Sequence, residues 1–131
     1  MPITYERDDA RRRINVTLAG ALTVDDLLAI VDRQAAEQTW HFSLCYDARR
    51  ITKDAASTVE EVRRVLRHVV ETSARYGARG PVAIVTDNPA DYAMVRLYSS
   101  LGAEQRLSVE VFRDPSDAVR WLDTASGPSS H

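Results

Sequence analysis

The sequence predicts an α/β fold with a mainly parallel sheet opened by an antiparallel hairpin. Three observations carry this expectation: period-two apolar runs near the N-terminus, short apolar runs between later helical patterns, and helix-start signals that separate them. The chain has 131 residues, the size of one domain, and its 44% apolar and 27% charged residues match an ordinary globular composition. A disordered or fibrous chain is thereby excluded.

The elements follow in order. Ile3 and Tyr5, then Ile14, Val16 and Leu18, alternate with polar residues and read as two strands joined through Asp8-Asp9-Ala10-Arg11-Arg12, with Gly20 closing the second. Thr23-Val24-Asp25-Asp26 offers a capping hydroxyl and first-turn acids, and Val24, Leu27, Leu28, Val31 and Ala35 share one helical face. A helix is therefore expected from Thr23 to near Trp40. Phe42, Leu44 and Cys45 form a buried strand that empties at Tyr46-Asp47-Ala48-Arg49-Arg50 into a charged loop. Thr58-Val59-Glu60-Glu61 has capping-box spacing and opens a second helix, with Val59, Val62, Leu66, Val69 and Val70 on one face and Gly77 and Gly80-Pro81 ending it. Val82-Ala83-Ile84-Val85 is apolar at every position, which suits a strand covered on both faces at the sheet's middle. Asn88-Pro89-Ala90-Asp91 caps a third helix that carries Met94, Leu97, Tyr98 and Leu101 on one face and ends at Gly102. Leu107, Val109 and Val111 make the last strand, and Asp114-Pro115-Ser116-Asp117 starts a final helix that turns Ala118, Trp121 and Leu122 inward. The order is ββαβαβαβα, with a single domain expected over residues 1–123 and a disordered tail over 124–131.

Several function classes drop out. The single cysteine, Cys45, excludes an internal disulfide and a cysteine-based metal site, and its apolar neighbours make it a small core residue. A formal charge of −2 gives no overall attraction to nucleic acid or anionic lipid. No apolar run reaches the roughly 18 residues of a membrane span and the first residues lack a signal-peptide pattern, so a cytoplasmic location is expected. Metal-ligand spacing, a glycine-rich phosphate loop and a nucleophile elbow are all missing, while His41 sits at a helix end and His68 on a solvated helix face. No cofactor and no catalytic activity are expected. Asp47, Thr86 and Arg113 imitate a phosphoacceptor site, but Leu18-Ala19-Gly20 stands where paired acids would have to hold magnesium.

Sixteen of the 17 basic residues are arginine. Arg11, Arg12 and Arg13 in the hairpin turn are offset by Asp8 and Asp9, and Arg63, Arg64 and Arg67 by Glu60, Glu61 and Glu71, so both clusters read as solvated faces. In open α/β sheets ligands settle outside the carboxyl ends of the strands. Asp47, Arg49 and Arg50, then Thr86, Asp87 and Asn88, then Arg113 and Asp114 belong to those ends. Salt bridges between loops are the favoured reading there, with anion binding through the arginines as the alternative. Arg96 lies one helical turn from Tyr92 and near Tyr98, which favours stacking on tyrosine and leaves pocket lining as the second option. Arg49, Arg50, Arg96, Tyr98 and Arg113 form the candidate ligand-binding set.

The element order, together with Ile3-Thr4-Tyr5-Glu6, Leu22-Thr23-Val24-Asp25-Asp26-Leu27 and Tyr46-Asp47-Ala48-Arg49, resembles the SpoIIAA-like fold of STAS domains and small stand-alone bacterial proteins. Tyr92 to Tyr98, and Val111-Phe112-Arg113-Asp114 followed by Ala118 and Trp121-Leu122, complete a match over most of the chain. The resemblance implies a non-catalytic regulatory or binding module. Its partner would be a regulatory protein or a small, partly apolar or acidic ligand, held in a cleft at the sheet's edge lined by Val24, Trp40, Leu97 and Tyr98, with Arg49 or Arg96 meeting an acidic group. Phosphorylatable STAS proteins carry an Asp-Ser-Ser-Gly-type segment that a partner kinase modifies. Here Asp54-Ala55-Ala56-Ser57-Thr58-Val59 lacks that glycine, leaving Ser57 and Thr58 as the phosphorylation candidates for the alternative role, a switch of the anti-sigma factor antagonist type. A homodimer through the edge beside the hairpin is plausible, with Arg11 to Arg13 as guards against it.

Overall fold

A computed structural model describes residues 3–53 and 58–125. The elements run β1 (Ile3–Asp8), β2 (Arg13–Ala21), α1 (Val24–Ala36), β3 (Ser43–Lys53), α2 (Val59–Tyr76), β4 (Val82–Val85), α3 (Pro89–Glu104), β5 (Val109–Phe112) and α4 (Pro115–Ala125), the order expected. They form a five-stranded sheet in the spatial order β1-β2-β3-β4-β5, with β1 antiparallel to β2 and the other pairs parallel. The middle strand is therefore β3, not β4. The all-apolar sequence of β4 reflects a neighbour on each side and helices on each face, which does not require the central place.

The helix starts are the capped ones the sequence announces. Thr23 and Thr58 each close a capping box, with Asp26 and Glu61, and the Asn88 side chain accepts from the amides of Ala90 and Asp91. Helix ends differ more. α1 stops at Ala36 instead of near Trp40, because Gln38 takes φ of 62° and folds Thr39 back under the helix. There the Gln34 amide donates to the Thr39 carbonyl at 3.0 Å and the Thr39 hydroxyl to the Gln34 carbonyl at 3.0 Å. α3 continues past Gly102 to Glu104, and α4 continues to Ala125, beyond the expected domain edge. The rest of the expected tail, 126–131, lies outside the described residues.

The segment expected as a charged loop after Tyr46 is strand. β4 accompanies β3 only over Leu44–Asp47, but β2 continues beside it, pairing Arg50 with Ala19, Ile51 with Gly20 and Lys53 with Ala21 after register shifts. Gly20, at φ of 74°, supplies a conformation that such a shift needs and that other residues adopt at a cost. Arg49 and Arg50 point to solvent from this overhang while Ala48 stays buried.

Alternation sorts the core into two layers. Val16, Tyr46, Ile84 and Val111 lie abreast on one face, and Asn15, Cys45, Ala83 and Glu110 on the other. α4 covers the second face over β3–β5, with Ala118 and Leu122 fully buried against Ala83 and Val85, and the Phe112 and Trp121 rings 5.8 Å apart. α1, α2 and α3 pack in a row on the first face. Arg13, expected in a solvated turn, is instead buried as the first residue of β2. Its Nε donates to Ser43 Oγ at 3.1 Å and its Nη2 to Asp123 Oδ1 at 2.8 Å, which ties β2 to the end of α4.

Candidate functional site

A pocket of about 130 Å³ lies between the sheet and helices α1 to α3. Leu18, Tyr46, Ala48, Val82 and Ile84 form its floor, and Leu27 and Val31 of α1, Val62 and Val65 of α2 and Met94 and Val95 of α3 its walls. Its origin is in α3. That helix buries only Asp91 and Gly102 fully and leaves Met94, Val95 and Tyr98 half-buried, their inner sides turned to the pocket. A lining this apolar excludes a charged solute from most of the space and favours a hydrocarbon body.

Besides Tyr46 of the floor, four polar side chains interrupt that lining: Arg79, Thr86, Asp91 and Tyr98. Thr86 and Asp91 follow the carboxyl end of β4, whereas Arg79 precedes its start. Because α3 runs back along the sheet, Tyr98 returns to the Arg79 end, where the two groups interact electrostatically. Burial pushes the Tyr98 phenol up to about 12, against a partial opposing pull from Arg79, so the hydroxyl stays protonated at neutral pH. Among the described residues nothing hydrogen-bonds that hydroxyl.

The position of Arg79 is set by its surroundings. Gly80 packs so closely on the backbone of His41 and Phe42 that a Cβ there would collide with both carbonyls. The Gly80 amide donates to the Trp40 carbonyl at 3.0 Å, Trp40 Nε1 to the Gly77 carbonyl at 2.9 Å, and His41 Nδ1 to the Ala78 carbonyl at 2.8 Å. Residues 77–80 are thus laced to residues 40–42. From there the Arg79 guanidinium lies 4.9 Å from the centre of the Trp40 ring, and its Nε and Nη2 both donate to Gln34 Oε1, at 3.2 and 3.0 Å. Gln34 is fully buried and neutral. The arrangement fixes a cation without cancelling its charge.

Of the candidate set, the structure places only Tyr98 at the pocket. Arg49 spends its fork on Asp47, with Nε to Oδ1 at 2.9 Å and Nη2 to Oδ2 at 2.8 Å, and this pair holds the Asp47 carboxyl below the usual carboxylate range. Arg50 is exposed on the β3 overhang. Arg96 is exposed on α3, and the stacking expected of it is made by Arg113, whose guanidinium lies 4.7 Å from the Tyr92 ring centre. Trp40 and Val24 are buried in the core and Leu97 is half-buried, none of them lining the pocket, and the space lies over the middle strands instead of at the sheet's edge. Thr58 is committed to its cap: its hydroxyl accepts from the Glu61 amide and donates to Glu61 Oε1, both at 3.2 Å. Ser57 lies outside the described residues. Burial pushes the Cys45 thiol up, away from the reactive thiolate. His68 contacts Asp32 of α1 at 2.7 Å instead of the charges on its own helix, and Arg64 likewise reaches Asp25 of α1 at 2.9 Å.

Arg79 and Gln34 carry the site and were not among the candidates. A signal for Arg79 does exist in the sequence: its nearest acids, Glu71 and Asp87, are each eight positions away, so no local pairing accounts for it.

The architecture is that of the SpoIIAA-like fold, a mixed sheet opened by a hairpin with helices on both faces. No family model matches the chain and no curated protein does. Solved structures do. An uncharacterised protein of Shewanella loihica with a SpoIIAA-like fold is similar at a TM-score of 0.57 and 15% identity, over 92% of this chain and 91% of that one. An anti-sigma factor antagonist of Mycobacterium paratuberculosis gives 0.55 and 16%, over 92% and 93%. The Bacillus cell fate determinant SpoIIAA in its phosphorylated form gives 0.53 and 15%, over 92% and 98%. At such identities the likeness speaks for the fold.

Proposed function

We propose that this chain is a non-catalytic binding module that holds a small apolar ligand between its sheet and helices α1 to α3. The observation that carries this reading is the apolar pocket left by the half-buried face of α3. A cavity of about 150 Å³ lined by aliphatic side chains takes up a molecule the size of benzene, and 130 Å³ is close to that capacity. Native mass spectrometry of freshly purified protein, with a thermal-shift panel of small neutral apolar compounds, tests it. A ligand adduct, or a raised melting temperature that Ala48→Leu abolishes by filling the pocket, is the expected result. A bare mass with no shift across the panel overturns it.

The likeness to SpoIIAA in its phosphorylated form supports a second reading, a switch modified at Ser57 or Thr58 and read by a regulatory protein partner. A phosphate on Thr58 would displace its cap and face the Glu61 carboxylate, so Ser57 is the better acceptor. Phosphosite mapping after incubation with the host's serine kinases tests this role, and absence of modification from both residues contradicts it.

A further inference from the structure

We infer that the ligand is a small carboxylic acid, its hydrocarbon body in the pocket and its carboxylate against Arg79. This rests on the pocket reading above and adds the chemistry of the head group.

Three features of Arg79 support it. Its Nε and Nη2 are held by an amide oxygen, and among the described residues no carboxylate pairs with it, so its positive charge is oriented yet uncompensated. The Trp40 ring and the buried Gln34 side chain replace part of the water around it, which strengthens its attraction for an anion. Among the described residues nothing hydrogen-bonds Nη1, which leaves it for a carboxylate oxygen. This contrasts with Arg49, whose fork is already closed on Asp47.

The rest of the pocket supplies a second donor and sets the size of the body. Tyr98 brings a protonated hydroxyl to the Arg79 end, a second donor for the same head group. A half-open pocket of about 130 Å³ accommodates a body of roughly six carbons. Hexanoate and benzoate have this form.

The test is a calorimetric comparison of hexanoate with hexan-1-ol, and of benzoate with benzyl alcohol, at neutral pH. The acids are expected to bind about tenfold more tightly than the alcohols, the factor a single charge-assisted hydrogen bond supplies. Arg79→Gln should bring acid and alcohol within about twofold of each other, and Arg79→Lys, which keeps the charge, should retain most of the preference. Wild-type titrations alone decide the matter if the variants do not fold. Equal binding of acid and alcohol by the wild type overturns the carboxylate assignment while leaving the pocket reading standing. Undiminished acid preference in folded Arg79→Gln overturns it too. Binding of neither class overturns both.

Discussion

The two faces of the sheet are built from the same strands and finished differently. On the α4 side, Ala83, Val85, Ala118 and Leu122 meet with essentially no exposed surface. On the other side, where three helices pack, Met94, Val95 and Tyr98 of α3 are only half-buried and a pocket remains. Apolar residues are not in short supply there; they line a space instead of filling it. One short helix closes the β4 strip of its face where Ala83 and Ala118 let it approach, while Asn15 and Glu110 of the same face stay exposed, and the three helices opposite leave a pocket. The largest core cluster and the pocket thus share one face of the sheet, and the tightest small-residue packing lies on the other.

Substitutions can break that contrast. The largest effect is expected from Leu122→Ala, which opens a cavity in the closed face and should cost about 2–5 kcal/mol, read from the urea midpoint. Next comes alkaline pH. The raised pKa of Tyr98 means that the folded state holds this proton more firmly than the unfolded chain, so the resulting stability is complete below pH ~10 and is lost as pH rises toward 12. Tyr98 should account for a loss on the order of 2 kcal/mol, beside that from Tyr5, whose pKa is likewise raised to about 12, and a comparison of urea midpoints at pH 9 and 11.5 should find the loss smaller in Tyr98→Phe than in the wild type.

A matched pair of enlargements then measures the two faces directly. Ala83→Leu forces carbons into the closed face and should cost about 1–3 kcal/mol, whereas Ala48→Leu grows into the pocket and should change stability by less than about 1 kcal/mol while abolishing ligand binding. Smallest of all is Arg49→Ala, an exposed residue paired with its near neighbour, which should move neither the urea midpoint nor the affinity for hexanoate.

The sequence made the element order and the helix starts legible because their signals are local. Thr23, Thr58 and Asn88 act within one helical turn of themselves. The continuation of β3 was illegible for the opposite reason. Asp47, Arg49 and Arg50 look like a loop, and they become strand only because β2 runs on beside them. Tyr98 was legible as an aromatic residue on an inward helix face. Arg79 was hidden in a stretch whose glycines and proline announce the end of a helix, and its partners, Gln34 and Trp40, come from a distant part of the chain. The arginine-rich composition resolves into ion pairs and aromatic stacking for many of these side chains, such as Arg33 at 3.8 Å from the Tyr5 ring centre. Among the described residues Arg12, Arg75, Arg79 and Arg113 all stack on a ring without an ion pair, and of these four Arg79 lines the pocket.

The most direct test of the central claim is a two-dimensional amide NMR titration of the intact protein with hexanoate. Saturable shifts centred on Tyr46, Val65, Arg79, Ile84 and Tyr98 are predicted. Shifts confined to Arg49, Arg50 and Arg113, or no shifts at all, would contradict it.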